Sequence, residues 1–301
     1  MNFYYADAAL EQAKEKLIQD LFDKFVHLNL SRKNIALTVI LNKPRQLSWG
    51  TNFRGNDLIY PASVIKLFYM AATFIWAEHN KLIFNTEIRR ALKAMIRESS
   101  NDATNYIIDI LTQTTSGPEL TSSSLKNWVK KRRIIQNYFR TLKWPEFNNI
   151  VLTQKTWDEG PYGREYQSRY QIPNNRNVLT TNAVARLLWA IEKEELVKQK
   201  FSLEIKQLLK RSLDPTLWKN NLTYQVQGFM GQALPHNASL WSKAGWTSTT
   251  RHDAAIIKLP HKRTKIIFVI FTYGSKIAQS SELIPYATKR LIKILDNNLM
   301  L

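Results

Sequence analysis

The sequence predicts an α/β (α+β) fold: an antiparallel sheet formed by both chain ends and flanked by helices, with an all-helical subdomain between the two halves. Three observations lead there. Alternating, β-branched segments of strand character lie at residues 34–41 and 46–52, and again at 239–246, 251–259 and 265–273. The stretch between these groups carries apolar residues at helical spacing. At 301 residues, 44% of them hydrophobic and 22% charged, the chain has an ordinary globular composition and enough length for a sizeable core. We therefore expect a discontinuous α/β subdomain from residues 1–60 and 222–301 and a helical subdomain from 61–221.

Taken in order, residues 6–26 place Leu10, Ala13, Leu17, Leu21 and Phe25 three to four apart, the mark of an amphipathic helix. The strands at 34–41 and 46–52, separated by Lys43-Pro44, read as a hairpin. Pro61 closes a turn before a helix that runs from Ser63 to about Asn80, its apolar run too short to span a bilayer. Further helices are expected at 86–97, capped by Thr86, and at 103–111, after a break at Ser99-Ser100-Asn101. A turn at 112–120 leads into one basic helix over 123–142. Residues 145–178 show no dominant period and read as a long irregular loop, a length usual for functional segments. Helices follow at 181–194 and 201–213, and the segment 221–237 gives no clear signal. The three C-terminal strands and a helix at 286–296 complete the chain.

Composition narrows the function. Lys and Arg number 43 against 24 Asp and Glu, a formal charge of +19 that favours solubility and attracts polyanions or anionic surfaces. Part of it is local, at Lys130, Lys131, Arg132 and Arg133, where a solvated helix face is the simpler reading. Without cysteine there are no disulfides, no thiolate zinc site and no thiol redox chemistry. The five histidines are scattered, and no dinucleotide, phosphate-loop, His-Glu-x-x-His or Gly-x-Ser-x-Gly pattern occurs. No metal and no cofactor is expected. His252-Asp253 reads as polar residues on a strand, not a relay. The residues after Met1 lack a basic segment leading into an apolar one, so no export signal is expected in this sequence.

The chemistry gathers at Tyr60-Pro61-Ala62-Ser63-Val64-Ile65-Lys66. Three residues along a helix is nearly one turn, so Ser63 and Lys66 share a face, at the positively polarised end of the helix. A neutral lysine can take the proton of a serine and make it a nucleophile. By itself the spacing is more simply a helix start with an exposed lysine, and Ser123–Lys126 repeats it. Two further groups follow in order. Ser99-Ser100-Asn101 falls in a break between helices, where a hydroxyl and an amide can face a cleft. Lys243-Ala244-Gly245 lies on a strand, whose alternation turns Lys243 and Gly245 to one face and Ala244 to the other. Glycine there lets a substrate lie against the backbone. Together these supply a nucleophile, a base, a proton shuttle and oxyanion donors.

Ser-x-x-Lys, Ser-x-Asn and Lys-Ala-Gly in this order resemble class A β-lactamases and D-alanyl-D-alanine peptidases, the penicillin-recognising serine enzymes. The longer strings at 99–105, 161–165 and 241–247 resemble a class-A-like branch of serine hydrolases common in cyanobacteria. The resemblance implies a β-lactamase/transpeptidase-like fold and carries roles to matched positions. Ser63 would be acylated with Lys66 as base, and Ser99 would pass a proton to the leaving nitrogen with Lys243 tuning it. Asn101 would hold the substrate amide. The backbone N–H groups of Ser63 and Trp246 would form the oxyanion hole beside Gly245, and Arg251 would receive a substrate carboxylate. Three departures matter. Ala244 replaces the usual Thr or Ser, leaving Thr247 or Ser248 to supply a hydroxyl. The interval from Ser63 to Ser99 is short and that from Ser99 to Lys243 long. The loop that bears the deacylating carboxylate offers two candidates, Glu159 and Glu165.

The reading is thus a serine hydrolase that acts through an acyl-enzyme on an amide or ester, with weak or no β-lactam turnover. Its expected substrate is a small molecule or peptide, peptidoglycan-derived or a β-lactam, and the expected state is a monomer with no transmembrane segment and no nucleic-acid partner. The resemblance suggests a periplasmic or extracellular site. The alternatives are a catalytically silent protein of the same fold that binds cell-envelope polymers or other polyanions, and a nucleic-acid binder drawn by the +19 charge. The full set Ser63, Lys66, Ser99 and Lys243 argues against the first, and the lack of a reading motif against the second.

Overall fold

The computed structural model describes residues 3–44, 46–219, 221, 224–298 and 301. Its centre is a seven-stranded sheet of order β1-β3-β2-β7-β6-β5-β4. The strands are β1 (Tyr5–Ala6), β2 (Ile35–Asn42), β3 (Trp49–Phe53), β4 (Lys210–Arg211), β5 (Ser239–Trp246), β6 (Thr250–Lys258) and β7 (Lys265–Tyr273). Every pairing is antiparallel except that of β1 with β3. The expected joining of the chain ends is the β2–β7 ladder, which pairs Ile35 with Thr272 and runs to Asn42 with Lys265.

Strand alternation sorts the core into two layers. On β7, Ile266, Phe268 and Ile270 face one layer and Ile267, Val269 and Phe271 the other. The first layer is closed by α1 (Ala8–Lys24) and α12 (Leu283–Asn297), which pack together. The second is closed by α8 (Thr181–Glu192) and continues into the helical region. There α2 (Lys66–Glu78) is buried at every position from Lys66 to Trp76, as its all-round apolar sequence requires of a central helix. Around it stand α3 (Thr86–Lys93), α4 (Asn101–Thr112) and α6 (Ile134–Thr141), with Phe68 edge-on to Phe139 and Phe147, while α5 (Ser122–Arg132) packs on α6 and α7 (Gly163–Tyr170) and holds a small apolar cluster of its own. The remaining helices are α9 (Gln199–Leu209), α10 (Pro215–Trp218) and α11 (Ser275–Gln279). None of the helices is long and apolar enough to cross a membrane.

Four local expectations change. The single basic helix at 123–142 is two, broken at Arg133. There Arg132 turns inward to Glu165 while its neighbour Arg133 reaches Asn175, two partners on one adjoining segment. The helix at 86–97 ends at Lys93 in a π-helical turn over Ala94–Glu98. The irregular segment 145–178 contains α7 and is pinned by side chains: Asn177 Oδ1 accepts from the backbone N–H groups of Thr153 and Gln154, and Asn105 Oδ1 from that of Thr156. The helix at 201–213 stops at Leu209, and β4 then joins the sheet edge. The boundary expected between 221 and 222 falls on Leu222, outside the described residues.

Candidate active site

Ser63 sits in a 3-10 turn over Ala62–Ile65, immediately ahead of α2. The preceding Ala62 has φ 45°, an unfavourable left-handed conformation for a residue with a Cβ. In a 3-10 turn positions three apart eclipse, so Ser63 and Lys66 keep the common face that the spacing predicts. Behind the turn, His252 on β6 fixes the carbonyl of Tyr60. The backbone N–H of Thr272 donates to its Nδ1 at 3.0 Å, which leaves Nε2–H to donate to Tyr60 O at 2.9 Å. Burial pushes the His252 imidazole down to about 4, so the ring is neutral and structural. Asp253 faces the opposite layer and accepts from the backbone of Met230 and Ala254.

The Lys66 side chain is fully buried. Its Nζ donates to Ser99 O at 2.6 Å and Asn101 Oδ1 at 2.8 Å, with Ser99 Oγ at 3.3 Å and Ser100 O at 3.4 Å. Burial lowers the amine to about 7, against the opposing pull of the Asp158 carboxylate. From β5, Lys243 Nζ donates to Ser99 Oγ at 3.0 Å, Gln225 Oε1 at 2.8 Å and Ala244 O at 2.7 Å. Burial also holds this second amine well below the ordinary lysine range, reinforced by Lys66 and Arg211. Ser99 therefore lies between two amines. Its backbone is left-handed, φ 61°, and directly follows the π-helical turn. Arg211 on β4 fastens that turn by donating to Ile96 O at 2.7 Å and Arg97 O at 2.9 Å.

Gly245 joins the strand to the Ser63 turn. A Cβ at this position would lie 2.8 Å from Pro61 O, 2.9 Å from Ser63 N and 3.0 Å from Val64 N. Only glycine allows β5 to press so closely on the Ser63 amide. Ala244 packs into the opposite core layer, as alternation predicts. The structure thus brings together Ser63, Lys66, Ser99, Asn101, Lys243 and Gly245, with Trp246 half-exposed at the end of the strand.

Other expected residues are placed differently. Arg251 is buried; its Nε donates to Ala278 O at 2.8 Å, and its guanidinium lies 4.7 Å from the Trp246 ring centroid. The Thr247 hydroxyl accepts from the backbone N–H groups of Thr249 and Thr250, closing the β5–β6 turn. Glu165 is buried, accepting from Arg132 Nη2 at 2.7 Å and Ser116 Oγ at 3.0 Å, with Lys155 at 4.0 Å. Glu159 is exposed, and both glutamates line a cavity of about 200 Å³ beside Ala62 and Ile65. The same cavity is lined by Asp158, whose Oδ1 accepts from Asn101 Nδ2 at 2.6 Å. Sequence reasoning passed over Asp158, Gln225 and Arg211. Asp158 adjoined the candidate Glu159 in sequence, while Gln225 and Arg211 carried no local signal.

A family model described as the beta-lactamase enzyme family matches residues 84–295. The chain belongs to that family. The match takes in the Ser99–Asn101 and Lys243–Gly245 groups, while Ser63 and Lys66 precede it. Among solved structures, the beta-lactamase family fold is shared with TLA-1 extended-spectrum β-lactamase (14% identity, 97% of this chain and 100% of that one, TM-score 0.66). It is also shared with PBP-A (13%, 99% of each chain, TM-score 0.62) and a β-lactamase from Chitinophaga pinensis (14%, 94% and 99%, TM-score 0.62). A comparison with curated protein sequences gives no match.

Proposed function

We propose that this member of the beta-lactamase family is a serine hydrolase that acts on an amide or ester through an acyl-enzyme at Ser63. The observation that carries the reading is Ser99 Oγ accepting from both Lys66 and Lys243. Lying within hydrogen-bond distance of both amines, that hydroxyl can relay a proton between the lysines and a leaving group. Neutral Lys66 takes the Ser63 proton as Ser63 Oγ bonds to the substrate carbonyl carbon. The oxyanion that forms is received by the backbone N–H groups of Ser63 and Trp246. As the tetrahedral intermediate collapses, Ser99 protonates the departing nitrogen or oxygen and is reprotonated from the lysine side. Water then releases the acyl group as a carboxylic acid and restores Ser63. Asn101 holds the substrate amide and Asp158 orients Asn101.

Weak β-lactam turnover is the expectation within this reading. Ala244 offers no hydroxyl, the Thr247 hydroxyl is engaged by its own turn, and Arg251 is engaged by Ala278. A β-lactam carboxylate therefore meets no dedicated receptor among these side chains. Glu165 is held by Arg132, so it is not poised to activate water. A related structure is described as a variant of PBP-A in an acyl-enzyme complex with penicillin G, and a similarly persistent adduct is what this site favours. The test is stopped-flow kinetics with nitrocefin and a D-alanyl-D-alanine peptide or thioester. A burst of about one equivalent per protein followed by slow turnover, both absent in Ser63→Ala, is expected. A burst of equal size in Ser63→Ala would remove the assignment.

A further inference from the structure

A second surface of chemical character lies on the outer side of α5 and α6. Lys126 and Lys130 on α5, Arg133 at the break between the helices, and Asn137 and Arg140 on α6 share one face, since all five border the same cavity. That face is concave. One cavity of about 450 Å³ is lined by Lys126, Lys130, Arg133 and Arg140, and a neighbouring one of about 540 Å³ by Arg133, Arg140 and Arg176. No aspartate, glutamate or aromatic residue lines either.

The charges here are unspent. Some arginines and lysines elsewhere are paired, as Arg89 is with Glu204, Arg290 with Asp20 and Lys262 with Asp296. Among the described residues Lys126, Lys130 and Arg140 form no ion pair. Arg133 is fixed by a neutral partner, donating through Nε and Nη2 to Asn175 Oδ1 at 3.0 and 2.9 Å, which orients its charge without cancelling it. Arg176 is held over the Tyr60 ring, 4.7 Å from its centroid. Two fixed guanidinium groups beside three free cations is a preorganised anion receptor, not a merely solvated face.

We propose that this groove binds a linear phosphate-bearing polymer that lacks bases. Concavity argues against a membrane, which a basic patch engages as a flat surface. The missing aromatic rings argue against single-stranded nucleic acid, whose bases need stacking platforms. Phosphate is favoured because neutral amide donors, Asn137, Asn149 and Asn174, line the same cavities as the cations. An internal phosphate of such a polymer stays ionised and presents two non-bridging oxygens in a tetrahedral arrangement, so one unit can meet a cation and an amide donor on different walls of the groove. The proposal is independent of the acyl-enzyme reading, since none of these residues belongs to the Ser63 site.

The test compares two charge-matched triple variants by fluorescence anisotropy with long-chain inorganic polyphosphate. Lys126→Gln, Lys130→Gln and Arg140→Gln remove exposed, unpaired cations from the groove. Lys16→Gln, Lys289→Gln and Lys293→Gln remove as many exposed cations from α1 and α12. The expected result is a loss of tenfold or more for the groove variant and less than threefold for the control. The slope of log affinity against log salt should fall by about two to three for the groove variant, since each lost phosphate contact contributes about 0.7–0.9. Equal losses in both variants, or no polyphosphate binding by the wild type, would overturn the proposal. So would oligothymidylate or polyglutamate bound as tightly, with the same dependence on the groove.

Discussion

Lys243 Nζ donates to Ser99 Oγ at 3.0 Å across 144 residues of sequence, and Lys66 reaches the same oxygen from the other side at 3.3 Å. Burial lowers the Lys66 amine to about 7, and burial with the nearby Lys66 charge holds Lys243 well below the ordinary lysine range, so an unprotonated amine near pH 7 needs no histidine.

The pH dependence follows with a definite sign. Acylation requires Lys66 unprotonated, so its rate should rise with pH through about 7 and level off above, falling about tenfold per unit well below that point. Stability should move the same way. Unfolded, the amine titrates near 10.5; folded, near 7; between these the unfolded chain holds the additional proton, so stability rises with pH. Lys66 contributes at most about 1.4 kcal/mol per pH unit across that window. Urea melts of wild type and Lys66→Met from pH 6 to 10 isolate the contribution. A difference that does not vary with pH would show that Lys66 stays charged.

Gly245→Ala should separate reactivity from folding. The added methyl meets backbone atoms of Pro61, Ser63 and Val64, which cannot rotate aside as a side chain would. Shifting the nucleophile turn should slow acylation by about 100-fold, at a stability cost of about 1–3 kcal/mol. Labelling rates and thermal melts of the same preparation check both numbers.

Two carboxylates near the site should behave in opposite ways. Glu165→Gln removes the closer ion partner of fully buried Arg132, leaving Asp109 at 3.5 Å, and should cost about 1–3 kcal/mol. Its acylation rate, measured below the melting range, should stay near that of wild type. Asp158→Asn should barely affect stability, because the residue is exposed and asparagine can still accept from Asn101. Loss of the negative charge that favours Lys66 protonation should instead move the midpoint of the acylation profile below 7. The reverse pattern would exchange the two assignments.

The fold was legible where periodicity was strong. The sheet ladders and α2 follow from alternation and an unbroken apolar run, whereas α11, five residues long, is too short to show a period. In the site, the proximity of Ser63, Lys66, Ser99, Asn101, Lys243 and Gly245 could be expected from three short motifs taken in order, whereas the Ser63–Lys66 spacing alone gave no direction. Arg251 could be placed on its strand, but its direction depends on Ala278 in that unforeseen helix. Likewise Arg211 matters only because folding carries β4 to the carbonyls of residues 96 and 97, more than 100 positions away. Asp158 and Gln225 lie in irregular chain, where residue type alone gives no direction.

The central claim is most directly tested by peptide mapping after incubation with a fluorophosphonate at pH 8. The account predicts a single adduct on the peptide that contains Ser63, lost in Ser63→Ala and strongly slowed in Lys66→Met, with Ser123 unlabelled despite its own lysine three residues on. Labelling at Ser123 in place of Ser63, or a rate at Ser63 unchanged by Lys66→Met, would contradict it.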